Sequence, residues 1–282
     1  MHKVRIIPRL DIKGPNLVKG IHLEGLRVLG KPESFAEYYY ESGADELFFQ
    51  DTVASLYERN NLQDIISKTA KKIFIPLTVG GGIRNLEDIR QALLAGADKV
   101  AVNTAAIKNP DLIKTASKKF GSSTIVVSIE AIKESNGEYF AYTDNGREYS
   151  GIRVFDWVKQ VQDLGAGEIV ITSVDREGTG EGFDEELIKR VVDLVDIPVI
   201  AHGGCKSPEN VVDVFENCKV DGVAIASILH YDFVQKQSVN EEFAVEGNTN
   251  FLKSGASFSK ISPCNISDIK DSLFKNKIPV RL

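Results

Sequence analysis

The stretch RIIPRLDIKGPNLVKG (Arg5–Gly20) decides the fold, because TIVVSIEAIK (Thr124–Lys133) repeats its plan. In each, a run of Ile, Val and Leu reads as a buried strand. Each run ends in a carboxylate, Asp11 in the first and Glu130 in the second, 119 positions apart. A lone acid at the mouth of an apolar strand is more often structural than catalytic. Two at matching places favour an acid–base pair. Beyond Asp11, Gly14, Pro15 and Gly20 interrupt a polar segment that reads as a flexible loop to Gly30. That loop carries Lys19, a cation placed to close over a ligand.

Working outward, the repeat extends through the chain. GADELFF (Gly43–Phe49) is echoed by GAGEIVI (Gly165–Ile171), IPLTVGGGIRNLEDI (Ile75–Ile89) by IPVIAHGGCKSPENV (Ile197–Val211), and DKVAVNTAA (Asp98–Ala106) by DGVAIASIL (Asp221–Leu229). Three echoes in register indicate a two-fold internal repeat. Strands are predicted at Val4–Leu10, Glu46–Gln50, Ile73–Val79, Lys99–Asn103, Thr124–Ile129, Glu168–Ser173, Ile197–Ala201 and Gly222–Ala226. Helical patterns such as Pro32–Ser42, Asn85–Ala95, Arg153–Leu164 and Pro208–Asn217 lie between them. Eight βα units in 282 residues predict one closed (β/α)8 TIM barrel over 1–282. Its half-barrels are 1–120 and 121–282. The polar, Gly/Ser/Asn-rich stretch Tyr231–Cys264 reads as an insertion at about 232–264, before a last helix at Ile266–Phe274.

Composition excludes several classes. No apolar run of membrane-spanning length occurs, and the N-terminal MHKVRII is too strand-like for a signal peptide. A net charge of -6 argues against a general nucleic-acid binder. Cys205, Cys218 and Cys264 share no metal-ligand spacing and read as free thiols in a reducing cytoplasm. Neither a metal nor a cofactor is expected.

Small residues at strand ends suggest anion sites. Gly80-Gly81-Gly82 follows the third predicted strand and Asn103-Thr104 the fourth; Gly203-Gly204 and Ala226-Ser227 repeat this half a barrel away. Backbone amides approach an anion closely at such places. The ligand expected is an elongated small molecule with a phosphate at each end. Asp51 and Thr172 are expected to line the same mouth. Arg5, Glu46, Lys99 and Glu168 start strands, and so should ring the barrel floor as an ion-pair network or as a gate on an axial passage.

The segments RIIPRLDIK, VKG, GADEL, FIPLTVGGGIR, GADKVAVNTAA, GAGEI, TSVDREGT and VRL resemble the cyclase (HisF-type) subunit of imidazole glycerol phosphate synthase. The resemblance runs from residue 4 to about 231 and returns in the last helix. It implies a two-fold (β/α)8 barrel with a glutaminase (HisH-type) partner docked on its floor. Ammonia would pass the gate of Arg5, Glu46, Lys99 and Glu168 and attack the bisphosphate PRFAR, giving imidazole glycerol phosphate and AICAR. It further implies an acid–base role for Asp11 and a loop cation in Lys19. Partner contact is implied at Asp98, and phosphate contacts at Gly82, Asn103, Thr104, Gly178, Gly204, Ala226 and Ser227.

Several residues depart from that pattern. Glu130 stands for an aspartate, a reach of about one C–C bond, ~1.5 Å; misplacement on that scale costs up to ~10²-fold where chemistry depends on positioning. Arg9 replaces a small residue, His202 a serine and Glu177 an aspartate. With RLDIKGPNLVKGIHLEGLR, SIEA and TDNGRE, the set is more similar to a paralogous branch associated with acetamidino modification of surface-glycan sugars. The expectation is therefore a cytoplasmic, ammonia-dependent, lyase-like subunit acting in sugar modification. Its rivals are the histidine-pathway cyclase and a non-catalytic subunit that only activates the glutaminase. A fourth reading, the related sugar isomerase of histidine synthesis, is disfavoured by the complete floor gate.

Overall fold

The computed structural model describes residues 3–53, 62–236 and 260–281. Its strands in chain order are β1 (Arg5–Lys13), β2 (Asn16–Ile21), β3 (Glu24–Gly30), β4 (Leu47–Asp51), β5 (Leu77–Gly80), β6 (Lys99–Val102), β7 (Ile125–Lys133), β8 (Tyr139–Thr143), β9 (Glu148–Arg153), β10 (Glu168–Ser173), β11 (Val199–His202) and β12 (Gly222–Ile225). The helices among these residues are α1 (Pro32–Glu41), α2 (Gln63–Ala70), α3 (Leu86–Ala95), α4 (Thr104–Lys108), α5 (Asp111–Phe120), α6 (Val154–Asp163), α7 (Glu185–Val192), α8 (Pro208–Cys218), α9 (Ser227–Lys236) and α10 (Ile266–Lys275).

β1, β4, β5, β6, β7, β10, β11 and β12 pair in that order, all parallel, and β12 closes onto β1. This is the eight-stranded barrel that the alternating pattern predicts. Strand β10, EIVITS, is buried at all six positions because the barrel interior covers one face and helices the other. The helices bury stripes of the expected period: in α6, Val154, Trp157, Val158 and Val161 recur at helical spacing and face the sheet. Burying each such side chain contributes roughly 1.5–3 kcal/mol. Inside the barrel, Ile7, Phe48, Ala101, Val126, Val170, Ile200 and Ala224 form a separate apolar layer.

The halves match in a way the sequence reading does not foresee. Gly14–Gly30 is a β-hairpin rather than a flexible loop. β1 runs on to Lys13 and pairs antiparallel with β2, which pairs with β3. Leu17 and Val18 are buried there, which is why the segment is ordered. In the second half β7 likewise runs on to Lys133 and pairs with β8, and β8 with β9. Strand β5 starts at Leu77, later than the expected Ile73, just after Pro76, which has no amide hydrogen to give the ladder.

The expected insertion at about 232–264 is narrower. Helix α9 continues to Lys236 with Tyr231 and Phe233 buried, while Ile261 and Cys264 join the core. The stretch 237–259 lies outside the described residues. Helix α10 opens with a capping box between Asn265 and Asp268. Its buried Lys270 bonds Asp45 at 3.1 Å, and the other oxygen of Asp45 accepts the Ile6 amide at 2.9 Å. The last helix is thus pinned to the base of β1. Cys205, Cys218 and Cys264 are free thiols. Among the described residues no helix is long and apolar enough to cross a membrane.

Candidate active site

Side chains alternate across a strand, so Arg5, Ile7, Arg9 and Asp11 climb the inner face of β1 in two-residue steps. At about 3.3 Å per residue they span roughly 20 Å from floor to mouth. At the floor, Arg5 meets Glu46 at 3.1 Å and Glu168 at 2.6 Å, and Lys99 meets the same two at 2.9 and 3.3 Å. The four expected gate residues therefore close into one ring of alternating charge. Thr78 donates to Glu46 from the side. Above the ring lies the apolar layer, and above that the polar mouth.

Arg9 crosses the barrel interior. Its Nε donates to Asp11 at 3.0 Å, and a terminal nitrogen reaches Thr172 on β10 at 3.4 Å. Its guanidinium carbon sits 5.6 Å from the centre of the Phe48 ring. Thr172, expected to line the mouth, is instead fully buried beneath this contact. Burial alone would raise the Asp11 carboxyl; Arg9, by charge and by hydrogen bond, and Lys19 outweigh it and hold Asp11 below its ordinary range. Lys19 is not on a mobile loop. It is buried, ion-paired with Glu177 across 158 residues, and donates to the Gly20 carbonyl at 3.1 Å. Glu177 also accepts the Leu23 amide at 3.0 Å, so it ties the first hairpin to the loop after β10.

Glu130 sits at the equivalent place on β7. Its carboxylate accepts the Gly146 amide at 2.8 Å, from the turn between β8 and β9. Burial pushes the group up to about 7, against the opposing pull of the Gly146 amide, Arg9 and Asn103. The unfolded chain releases this proton near the ordinary carboxylate value, the folded chain only near 7. The stability contribution is therefore complete below the ordinary value and is lost as pH rises through about 7. Glu130→Gln is expected to stabilise the chain at pH 8 by up to ~3 kcal/mol, and far less at pH 4. Urea unfolding at both pH values checks this, and an equal effect at both would refute it.

The expected phosphate residues fall into two clefts on opposite sides of the mouth. Gly82, Asn103 and Thr104 line a cleft of about 510 Å3, with Gln50, Arg84 and Glu130 among its other walls. Gly178, Gly203, Gly204, Ala226 and Ser227 line a much smaller one, about 20 Å3, together with His202. Both depend on glycine. Gly81 has φ +90 and Gly204 φ +95, and a Cβ there would lie 2.3 Å from the Asp51 carbonyl oxygen and 2.1 Å from that of Gly182. The Nδ1 of His202 donates to the Ala224 carbonyl at 2.8 Å, which fixes the tautomer and leaves a bare Nε2 with no partner among the described residues. Burial, aided by Arg9, pushes His202 down to about 3, so the ring is neutral.

Outside the mouth, exposed apolar side chains gather near the floor. Phe74 is 83% and Leu94 69% exposed. Phe74 borders a surface depression with Pro76 and Asp98. Asp98 is itself exposed and accepts the Leu77 amide at 2.9 Å, so it also caps the base of β5.

Comparison with known proteins adds a lineage to this geometry. The family described as "Histidine biosynthesis protein" matches residues 5–235. The chain belongs to the histidine biosynthesis protein family. Within it the chain is of the HisF type. It is similar to the imidazole glycerol phosphate synthase subunit HisF of Legionella pneumophila, 59% identical over 204 residues, which are 72% of this chain and 96% of the relative. The subunit of the same name from Methanopyrus kandleri is 46% identical over 86% of this chain and 96% of its own length. That of Lactococcus lactis subsp. lactis is 41% identical over 99% of this chain and 96% of its own.

Within this HisF-type barrel the sequence reading does not single out Gln50, Arg84 or Asn145 as lining residues. Gln50 was findable, since it continues the two-residue alternation of Glu46 and Phe48 into β4. Asn145 was not, because the turn that carries it belongs to the unforeseen hairpin.

Proposed function

We propose that this chain is the ammonia-using cyclase of an imidazole glycerol phosphate synthase. In this reading a HisH-type glutaminase sits on the floor, and ammonia crosses the barrel to the mouth. There it converts PRFAR to imidazole glycerol phosphate and AICAR. The observation that carries the reading is the alignment, along one barrel, of a closed charge ring, an apolar layer and two unlike carboxylates.

Each part suits the chemistry. Building ammonia into a ring in place of a carbonyl oxygen requires a proton taken from nitrogen and a proton given to the oxygen that leaves as water. Asp11, held ionised, suits the first task, and Glu130, able to keep a proton near neutral pH, the second. The two clefts suit the two phosphates of PRFAR, with Gly82, Asn103 and Thr104 at one end and Gly178, Gly203, Gly204, Ala226 and Ser227 at the other. Exposed Phe74, which borders the same depression as Asp98, suits a partner on the floor. The sugar-modifying reading rests on the departures at Arg9, Glu130, His202 and Glu177 and on the stretches RLDIKGPNLVKGIHLEGLR, SIEA and TDNGRE. Relatives aligned over most of the chain carry the synthase name, so the cyclase is preferred.

The gate supplies the test. With a HisH-type glutaminase bound, Lys99→Met should lower glutamine-dependent turnover of PRFAR by about tenfold, a loss of ~1.4 kcal/mol. Turnover with added ammonium, which reaches the mouth from solvent, should change little. An equal loss with both nitrogen sources would show that Lys99 has no part in ammonia traffic.

A further inference from the structure

The two-fold repeat makes one asymmetry visible. Position 128 matches position 9 in the repeat, and it holds serine where the first half holds arginine. The carboxylates at the mouth therefore sit on matching strands, but only Asp11 has a cation two residues below it on the same face. Arg9 is 1% exposed and bonds both Asp11 and Thr172, and Thr172 lies beside Glu130 in the sheet register. One guanidinium thus reaches from the first acid to the strand that flanks the second.

We propose that Arg9 is the positioning residue that makes the two carboxylates of this mouth unequal, holding Asp11 as the anion and leaving Glu130 as the proton carrier. The inference rests on the reading of Asp11 and Glu130 as the acid–base pair. Arg9 need not touch the ligand. It acts through the buried hydrogen bond to Asp11, where low polarity strengthens the attraction. The other charged or titratable groups facing Asp11 are Lys19, itself paired with Glu177, and neutral His202; His230 also senses Asp11. Glu130 faces Asp144 as well as Arg9. Lys19 is shared with Glu177, so Arg9 is the cation bonded to Asp11. Symmetric ancestry would give two similar acids; arginine at position 9 against serine at position 128 is one of the differences that separate them.

The test is a carbon-13 NMR titration of the Asp11 and Glu130 carboxyls in the ligand-free chain, with the pH–rate profile beside it. In Arg9→Gln the Asp11 midpoint should rise by at least ~1 pH unit, about tenfold in proton affinity, and by more than that of Glu130. The acid limb of the rate profile should move with it. Arg9→Lys, which keeps the charge, should restore most of the separation. An unchanged Asp11 midpoint in Arg9→Gln overturns the proposal, whatever happens to kcat. Should Arg9→Gln fail to fold, the wild-type midpoints and Arg9→Met ask the same question at Asp11. An Asp11 midpoint below that of Glu130 in wild type and raised in Arg9→Met supports the role; coincident wild-type midpoints, or an Asp11 midpoint unchanged in Arg9→Met, overturn it. If the carboxyls shift as expected but the wild-type chain does not turn over PRFAR, the cyclase reading fails while the role of Arg9 stands.

Discussion

Replacing Asp11 by asparagine is expected to lower ammonium-dependent turnover of PRFAR by roughly 10²–10⁴-fold, the usual worth of a positioned general base. The asparagine fills the same space, and its oxygen still accepts from Arg9 Nε, so the mouth keeps its shape. What it loses is the charge and the ability to take a proton. Neither cleft is lined by Asp11, so the loss should fall on kcat with KM within a few-fold. A second effect must be separated from the first. Arg9 is buried and would lose its counter-charge, and breaking a buried pair costs up to ~3–5 kcal/mol. Rates should therefore be compared well below the unfolding temperature of both proteins. Turnover within tenfold of wild type would remove Asp11 from the chemistry.

The largest stability loss is expected far from the mouth. Lys270→Met should destabilise the chain by ~3–5 kcal/mol, because it leaves the Asp45 carboxylate buried without a counter-charge. For a chain of this size that corresponds to roughly 6–20 °C in Tm. Only one oxygen of Asp45 loses its partner, since the other still accepts the Ile6 amide. Adding Asp45→Asn to Lys270→Met should recover most of the loss, because the amide oxygen can still serve Ile6 and no buried charge remains. Denaturant unfolding of the three proteins checks both statements. A single variant within about 1 kcal/mol of wild type would mean that water reaches the pair and screens it.

The barrel was legible because its strands are buried on both faces. Continuous apolar runs such as EIVITS can hardly be solvated, and their recurrence between amphipathic segments specifies a closed parallel sheet. The floor ring was legible for a related reason. Arg5, Lys99 and Glu168 begin apolar runs and Glu46 directly precedes one, and strand starts share one end of any such barrel.

The hairpins were not legible. NLVKGI and EGLRVLG mix glycine and charge with apolar residues, and their order comes from pairing with the extension of β1. For Lys19, the partner that removes its freedom, Glu177, lies 158 residues away. Thr172 stands at a strand end, as a mouth residue should, but the long side chain of Arg9 covers it from the opposite side of the barrel. What sequence period conveys is which face a residue occupies. Which long side chain fills the space above that face depends on contacts between distant strands.

The cyclase reading stands or falls on one assay. The purified chain, without a glutaminase, is mixed with PRFAR and an ammonium salt, and loss of substrate absorbance is followed. Turnover by the unaltered chain is predicted, because Glu130 is seated on the Gly146 amide and holds a proton near neutral pH. A folded chain that binds PRFAR but does not consume it would contradict the account.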